Sequence, residues 1–168
     1  MIQGISKVLV VEDMASQRMA MASLLESIGV EEVHTAEDGL VARKYLQINH
    51  RQIDVIITDL QMPNMDGLQL LEYLGEIKFS GCVFICSHME QKIIDLAIEL
   101  ARLKSIHLIG CIDKTLDEKL IKVMLQRATR VRNEFGHEFE YIKKRELKEA
   151  LENGCVVPYY QPQIDLAT

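Results

Sequence analysis

The sequence predicts an α/β domain of (βα)5 order, a doubly wound parallel five-stranded sheet with helices on both faces. Short apolar runs alternate with amphipathic stretches five times before the charge density rises near residue 127. The runs are apolar at consecutive positions rather than at every second one, as strands covered on both faces require. Most of them also close on a charged or hydroxyl residue, at the edge where such sheets gather their ligands.

The first strand is Lys7-Val8-Leu9-Val10-Val11, closed by Glu12-Asp13. Met21, Leu24, Leu25 and Ile28 recur at helical spacing and predict a helix over residues 16–28, stopped by Gly29. Residues 33–36 read as a short second strand, after which Val41, Tyr45 and Ile48 share one helical face. A third apolar run, residues 53–58, ends at Asp59, and Leu70, Leu71, Leu74 and Ile77 mark the helix that follows. The fourth run, residues 82–86, ends at Ser87 and precedes a helix marked by Ile93, Ala97, Leu100 and Ala101. Residues 106–112 form the fifth run, ending near Lys114, and a fifth helix starts around Leu116. Ile121, Met124, Ala128, Val131 and Phe135 predict that this helix packs on its own domain and then overruns it; a dimerising coil is the alternative. Right-handed crossovers turn this order into a doubly wound sheet.

A length of 168 residues suits one domain with a remainder, and 48% hydrophobic residues suffice for one core. The net charge of −6 counts against a nucleic-acid surface, and Arg127, Arg130 and Arg132 read as a solvated helix face. No apolar run is long enough to cross a bilayer. The N-terminal stretch runs directly into charges, unlike a signal peptide. A soluble cytoplasmic chain without a membrane partner is expected. Cys82, Cys86, Cys111 and Cys155 show no CxxC spacing; the first three lie in apolar runs and read as buried small hydrophobes in a reducing compartment.

Chemistry concentrates at the strand ends. Glu12 and Asp13 follow the first strand, Asp59 the third, Ser87 the fourth and Lys114 the fifth. In a parallel sheet these ends converge on one cleft. Three carboxylates there repel one another, and a divalent cation relieves the repulsion; an all-oxygen donor set favours Mg²⁺. With Mg²⁺ held by Asp13 and Asp59, the Asp59 carboxylate can attack a phosphoryl group and form an acyl phosphate. Lys114 can neutralise one phosphoryl oxygen, and the Ser87 hydroxyl can donate to another. Glu12 is expected to act mainly by orienting metal-bound water. Taken singly, Asp13 and Ser87 read as helix caps, Asp59 as a turn former and Lys114 as a surface lysine. Their joint placement carries the functional reading.

The segments VLVVED, IDVIITDLQMPNMDGLQLLEYL, VFICS and GCIDK resemble the receiver domain of response regulators, over residues 5–130. The resemblance implies a flavodoxin-like receiver fold and a phosphorelay role, in which a histidine kinase is the phosphodonor. By position it implies Asp59 as phosphoacceptor, Glu12 and Asp13 as the acidic pair, and the backbone carbonyl of Gln61 as a further Mg²⁺ ligand. Ser87 resembles the family's switch hydroxyl and Lys114 its lysine. Gln61 and Met89 lie where the family tunes the lifetime of the phosphate. Two positions depart from the pattern: Cys111 replaces an aromatic residue, and Thr115 follows the lysine where the family has a cis proline. Both bear on how a signal is transmitted rather than on phosphorylation. A haloacid-dehalogenase-like phosphatase wants a second Asp where Gln61 stands, and the intact polar set disfavours a receiver that never gains phosphate.

Residues 143–153 read as a short helix closed by Gly154, leading into Val156-Val157-Pro158-Tyr159-Tyr160-Gln161-Pro162. This tail resembles the opening of an EAL domain, the cyclic di-GMP phosphodiesterase module, without its signature Glu-Ala-Leu. The organisation expected is a receiver over 5–130, a linker over 131–145 and a truncated EAL opening over 146–168, as a piece of a longer regulator. The expected partners are a histidine kinase and the attached EAL domain, with a second copy of the chain as the partner under the dimerising-coil alternative. Enzymatic output is expected of the parent, with this chain limited to its own phosphorylation and dephosphorylation.

Overall fold

The computed structural model describes residues 4–112, 114 and 117–135. The expectations for the linker and the EAL-like tail from residue 136 onward, and for Thr115, lie outside the described residues.

Ten elements alternate: β1 (Lys7–Val11), α1 (Ala15–Ser27), β2 (Glu32–Ala36), α2 (Gly39–Asn49), β3 (Val55–Thr58), α3 (Gly67–Glu76), β4 (Cys82–Cys86), α4 (Gln91–Leu103), β5 (His107–Ile112) and α5 (Glu118–Phe135). The strands form one parallel sheet in the order β2-β1-β3-β4-β5. This is the predicted (βα)5 doubly wound sheet. The order reverses between β1 and β3, which places the switch point where the acidic pair and Asp59 leave their strands.

Strand alternation sorts the apolar side chains into two cores. Leu9, Val11, Ile56, Val83 and Ile85 face α2, α3 and α4, where they meet Ala42, Leu46, Leu70, Leu71, Leu74, Ala97 and Ala101. Val8, Val10, Val55, Ile57, Cys82, Phe84 and Cys86 face α1 and α5, where they meet Met21, Leu25, Ile121, Leu125 and Ala128. Two-sided burial is the physical reason the central strands β1, β3 and β4 read as unbroken apolar runs. Between β4 and β5 the register shifts at Val83/Phe84, so Ile109 stands as an extra residue before Gly110.

One helical face and one arginine differ from expectation. On α2 the buried residues are Gly39, Ala42 and Leu46, while Ile48 is 83% exposed. The Gly39 amide donates to the Met65 carbonyl, and small residues on that side let α2 approach the β3–α3 loop. The expected face, marked by bulk rather than by fit, is therefore rotated. On α5, Ile121, Met124, Leu125 and Ala128 are buried, so the helix packs on its own domain and continues to Phe135. Arg127 and Arg130 are exposed as expected. Arg132 is not simply solvated: it pairs with Asp54 at 2.6 Å and donates to the Gly4 carbonyl at 2.7 Å. Cys82 and Cys86 are buried and Cys111 is half-buried. Burial pushes the Cys82 thiol up to about 11, which keeps it protonated and inert. Among the described residues no helix is long and apolar enough to cross a membrane.

Candidate functional site

Backbone bonds carry the ladders one residue past the strand ends. The Glu12 amide donates to Ala36 at 3.1 Å, the Asp59 amide to Val11 at 3.0 Å and the Ser87 amide to Ile112 at 3.1 Å. With Val11 in register with Thr58, Glu12 and Asp59 leave neighbouring strands side by side. Arg18 on α1 fixes the backbone of the acidic pair, donating to the Glu12 carbonyl at 2.7 Å and the Asp13 carbonyl at 3.2 Å.

Lys114 reaches across β4 into this junction. Its Nζ lies 2.7 Å from Asp59 Oδ2 and 3.0 Å from both Glu12 carboxylate oxygens. The three side chains are 10%, 3% and 9% exposed respectively, so the cluster is largely withdrawn from water. Burial alone would lower the Lys114 pKa, but the hydrogen bonds from its ammonium to Asp59 and Glu12 outweigh burial and raise it. Lys114 is therefore a fixed positive charge at neutral pH. Glu12 is pushed up by burial, against the opposing hydrogen bonds from Lys114 and from the Met14 amide.

Oxygens of Glu12, Asp13 and Asp59 lie within 4.8 Å of one another, with Asp13 on the exposed side. Three carboxylates facing one ammonium retain excess negative charge. The donor set is all oxygen, which fits a hard divalent cation such as Mg²⁺ and disfavours softer metals. Gln61 stands two residues beyond Asp59 on the exposed part of the β3–α3 loop.

The blander readings of Asp13, Ser87 and Lys114 fail on geometry. The N-cap of α1 is Met14 and that of α4 is Glu90, neither with a side-chain cap bond, so Asp13 and Ser87 are not engaged as caps. Asp59 does accept from the following amide, Leu60, at 2.6 Å, leaving Oδ2 toward Lys114. Ser87 is 4% exposed and its hydroxyl has no hydrogen-bond partner among the described residues. It lines a groove of about 870 Å³ between α4 and β5, together with Met89, Ile94, Leu108 and Cys111. The structure thus joins Lys114 directly to Asp59 and Glu12, gathers Asp13 with them, and leaves Ser87 beside the groove.

Sequence reasoning missed a support behind the site. Asp38, 4% exposed, accepts from the Val41 amide at 2.8 Å as the N-cap of α2 and from Asn64 Nδ2 at 2.6 Å. The Asn64 amide, followed by the Val41 N–H, holds the Asp38 carboxyl below the usual aspartate range. The visible signal was Asp38-Gly39 ahead of an apolar-periodic stretch, a helix-start signature. Gly67 seals the other side of the loop: a Cβ there would lie 2.7 Å from the Leu60 Cα. Asp66 and Gln69 close α3 with a capping box.

Residues 8–126 match the family model of the response regulator receiver domain, and the chain belongs to that family. Receiver domains of two-component systems accept a phosphoryl group from histidine kinases and bind Mg²⁺ at an acidic site. Among curated relatives, the chain is 26% identical over 162 residues to the cyclic di-GMP phosphodiesterase RocR of Pseudomonas aeruginosa, a match covering 95% of this chain and 41% of that protein. It is 40% identical over 82 residues to a protein-glutamate methylesterase/protein-glutamine glutaminase of Archaeoglobus fulgidus, covering 48% of this chain and 23% of that protein. The chain therefore spans well under half the length of these relatives. Among solved structures, a receiver domain protein from Clostridium thermocellum superposes with a TM-score of 0.68 at 24% identity, covering 77% of this chain and 98% of that one. The CheX–CheY–BeF3–Mg²⁺ complex of Borrelia burgdorferi matches with a TM-score of 0.63 at 26% identity, covering 76% of this chain and 90% of that one.

Proposed function

We propose that Asp59 is the phosphoacceptor of this receiver. A carboxylate oxygen of Asp59 forms the new P–O bond as the P–N bond to a partner kinase's phosphohistidine breaks, and the released imidazole nitrogen takes up a proton. Hydrolysis of the acyl phosphate later returns the carboxylate and inorganic phosphate. The observation that carries this reading is the Lys114 ammonium seated 2.7 Å from Asp59 inside a buried carboxylate cluster. There it supplies positive charge to a phosphoryl oxygen without reorganisation. Asp13, Asp59 and the Gln61 carbonyl would hold Mg²⁺, with Glu12 orienting its water. That ion supplies further charge neutralisation at the transferring group. The Ser87 hydroxyl is the donor for a remaining oxygen; on phosphorylation it turns toward Asp59 and biases the surface of β4, α4, β5 and α5.

Treatment with a small phosphodonor and Mg²⁺, followed by intact mass measurement, tests this. Wild type is expected to gain one phosphoryl group and Asp59→Asn none. An unmodified wild type would make the chain a pure interaction module, and fast multiple turnover of the donor would make it a hydrolase.

The RocR match extends through nearly the whole chain, beyond the receiver family match, and supports a second level of the proposal. Residues 5–130 are taken as the receiver, 131–145 as linker and 146–168 as the opening of an EAL domain. Phosphorylation then regulates cyclic di-GMP hydrolysis in the longer regulator. Equal phosphodiesterase activity of that regulator with and without phosphorylation would remove this level and leave the first intact.

A further inference from the structure

We infer that Asp38 and Asn64 are positioning residues for the cation: they hold the β3–α3 loop so that the Gln61 carbonyl is fixed beside Asp59 before Mg²⁺ arrives. This rests on the phosphoacceptor reading above and deepens it.

Gln61 sits between two anchors. On one side, the Leu60 amide donates to Asp59 Oδ1 at 2.6 Å and the Leu60 carbonyl accepts from the Gly67 amide at 3.0 Å. On the other, Asn64 adopts φ 60, a left-handed conformation that Asn tolerates better than most residues. Its side-chain amide is tied to Asp38 Oδ2 at 2.6 Å. The next carbonyl, Met65, accepts from the Gly39 amide at 3.0 Å, so the same short Asp38-Gly39 segment grips the loop twice. Met62 and Met65 are buried at 8% and 9% exposure, which seats the turn against the core.

Asp38 can do this because its two oxygens serve different elements. Oδ1 is oriented by the first turn of α2 and Oδ2 by the loop. A carboxylate needed only as a helix cap would not require a neighbour from another loop, nor near-complete burial. A preset carbonyl avoids an ordering cost when the cation binds, so loss of the clamp appears as weaker Mg²⁺ binding.

Two variants separate positioning from capping. Asn64→Gly removes the amide, keeps access to positive φ and changes no charge. Asp38→Ser keeps an N-cap oxygen but is too short to reach Asn64. Mg²⁺ is titrated calorimetrically into the full chain, with thermal unfolding as the control for folding and amide exchange of residues 60–66 measured without Mg²⁺. Each variant is expected to bind Mg²⁺ about tenfold more weakly and to exchange faster across the loop. The double variant is expected to be no weaker than Asp38→Ser alone, because both changes break the same bond. Mg²⁺ binding by Asn64→Gly equal to wild type, with wild-type unfolding, overturns the inference and spares the phosphoacceptor reading. A wild type that binds no Mg²⁺ overturns the cation reading beneath it, and this inference with it.

Discussion

Lys114→Met is expected to slow acyl-phosphate formation by about 10²–10³-fold, the loss typical when one preorganised donor to a developing anion is removed. The argument starts from burial. Asp59 and Glu12 are both nine-tenths or more withdrawn from water and share one ammonium. Without it, two carboxylates face each other across the β1–β3 junction with only backbone donors for relief. The same variant is therefore expected to lose about 3 kcal/mol of stability in chelator, the order observed when one partner of a buried pair is deleted. Adding Mg²⁺ is expected to recover part of that loss, because the cation answers the same excess charge. Urea unfolding with chelator or with Mg²⁺, alongside a time course of intact mass, reads both effects. Equal modification rates in variant and wild type would remove Lys114 from phosphoryl handling.

The second large effect lies at the opposite edge of the sheet. Asp54→Ala is expected to cost about 3 kcal/mol in urea unfolding, from several charge-assisted hydrogen bonds that do not simply add. Asp54 Oδ2 accepts from the Ser6 amide at 2.6 Å and the Lys7 amide at 2.9 Å, and Oδ1 pairs with Arg132 at 2.6 Å. The carboxylate thus joins the entry to β1, the entry to β3 and the far end of α5. Arg132→Ala is expected to cost less, about 1 kcal/mol, because its guanidinium is one-third exposed and screened by solvent. An Asp54→Ala cost no greater than that of Arg132→Ala would show that the two backbone amides are readily satisfied by water.

The legibility of these features in the sequence follows from the range of the interactions. The central strands β1, β3 and β4 were readable because a parallel sheet buries both of their faces and so writes continuous apolar runs, whereas the edge strand β2, with Glu32 and Thr35 exposed, is written more weakly. The strand-end set of Glu12, Asp13, Asp59, Ser87 and Lys114 was readable because a parallel sheet has one carboxyl edge and chain order places residues on it. The buried face of α2 was not, because Ala42 and Gly39 are selected for close approach, which apolar bulk does not report. Arg132 read as solvated because its partner Asp54 lies on another element and only tertiary packing brings them together. Asp38-Gly39 carries a helix-start signature that went unread, and the bond from Asn64 to Asp38 depends on how two loops meet. The groove that Ser87 and Cys111 line depends likewise on the packing of α4 against β5.

Borohydride reduction of the phosphorylated chain, followed by peptide mapping, tests the central claim most directly, because it converts the acyl phosphate to an alcohol at the modified residue. The account predicts homoserine at position 59 alone, formed only when Mg²⁺ was present during phosphorylation. Reduction mapped to Glu12, Asp13 or Asp54, or a phosphorylated chain with Asp59 unchanged, would contradict it.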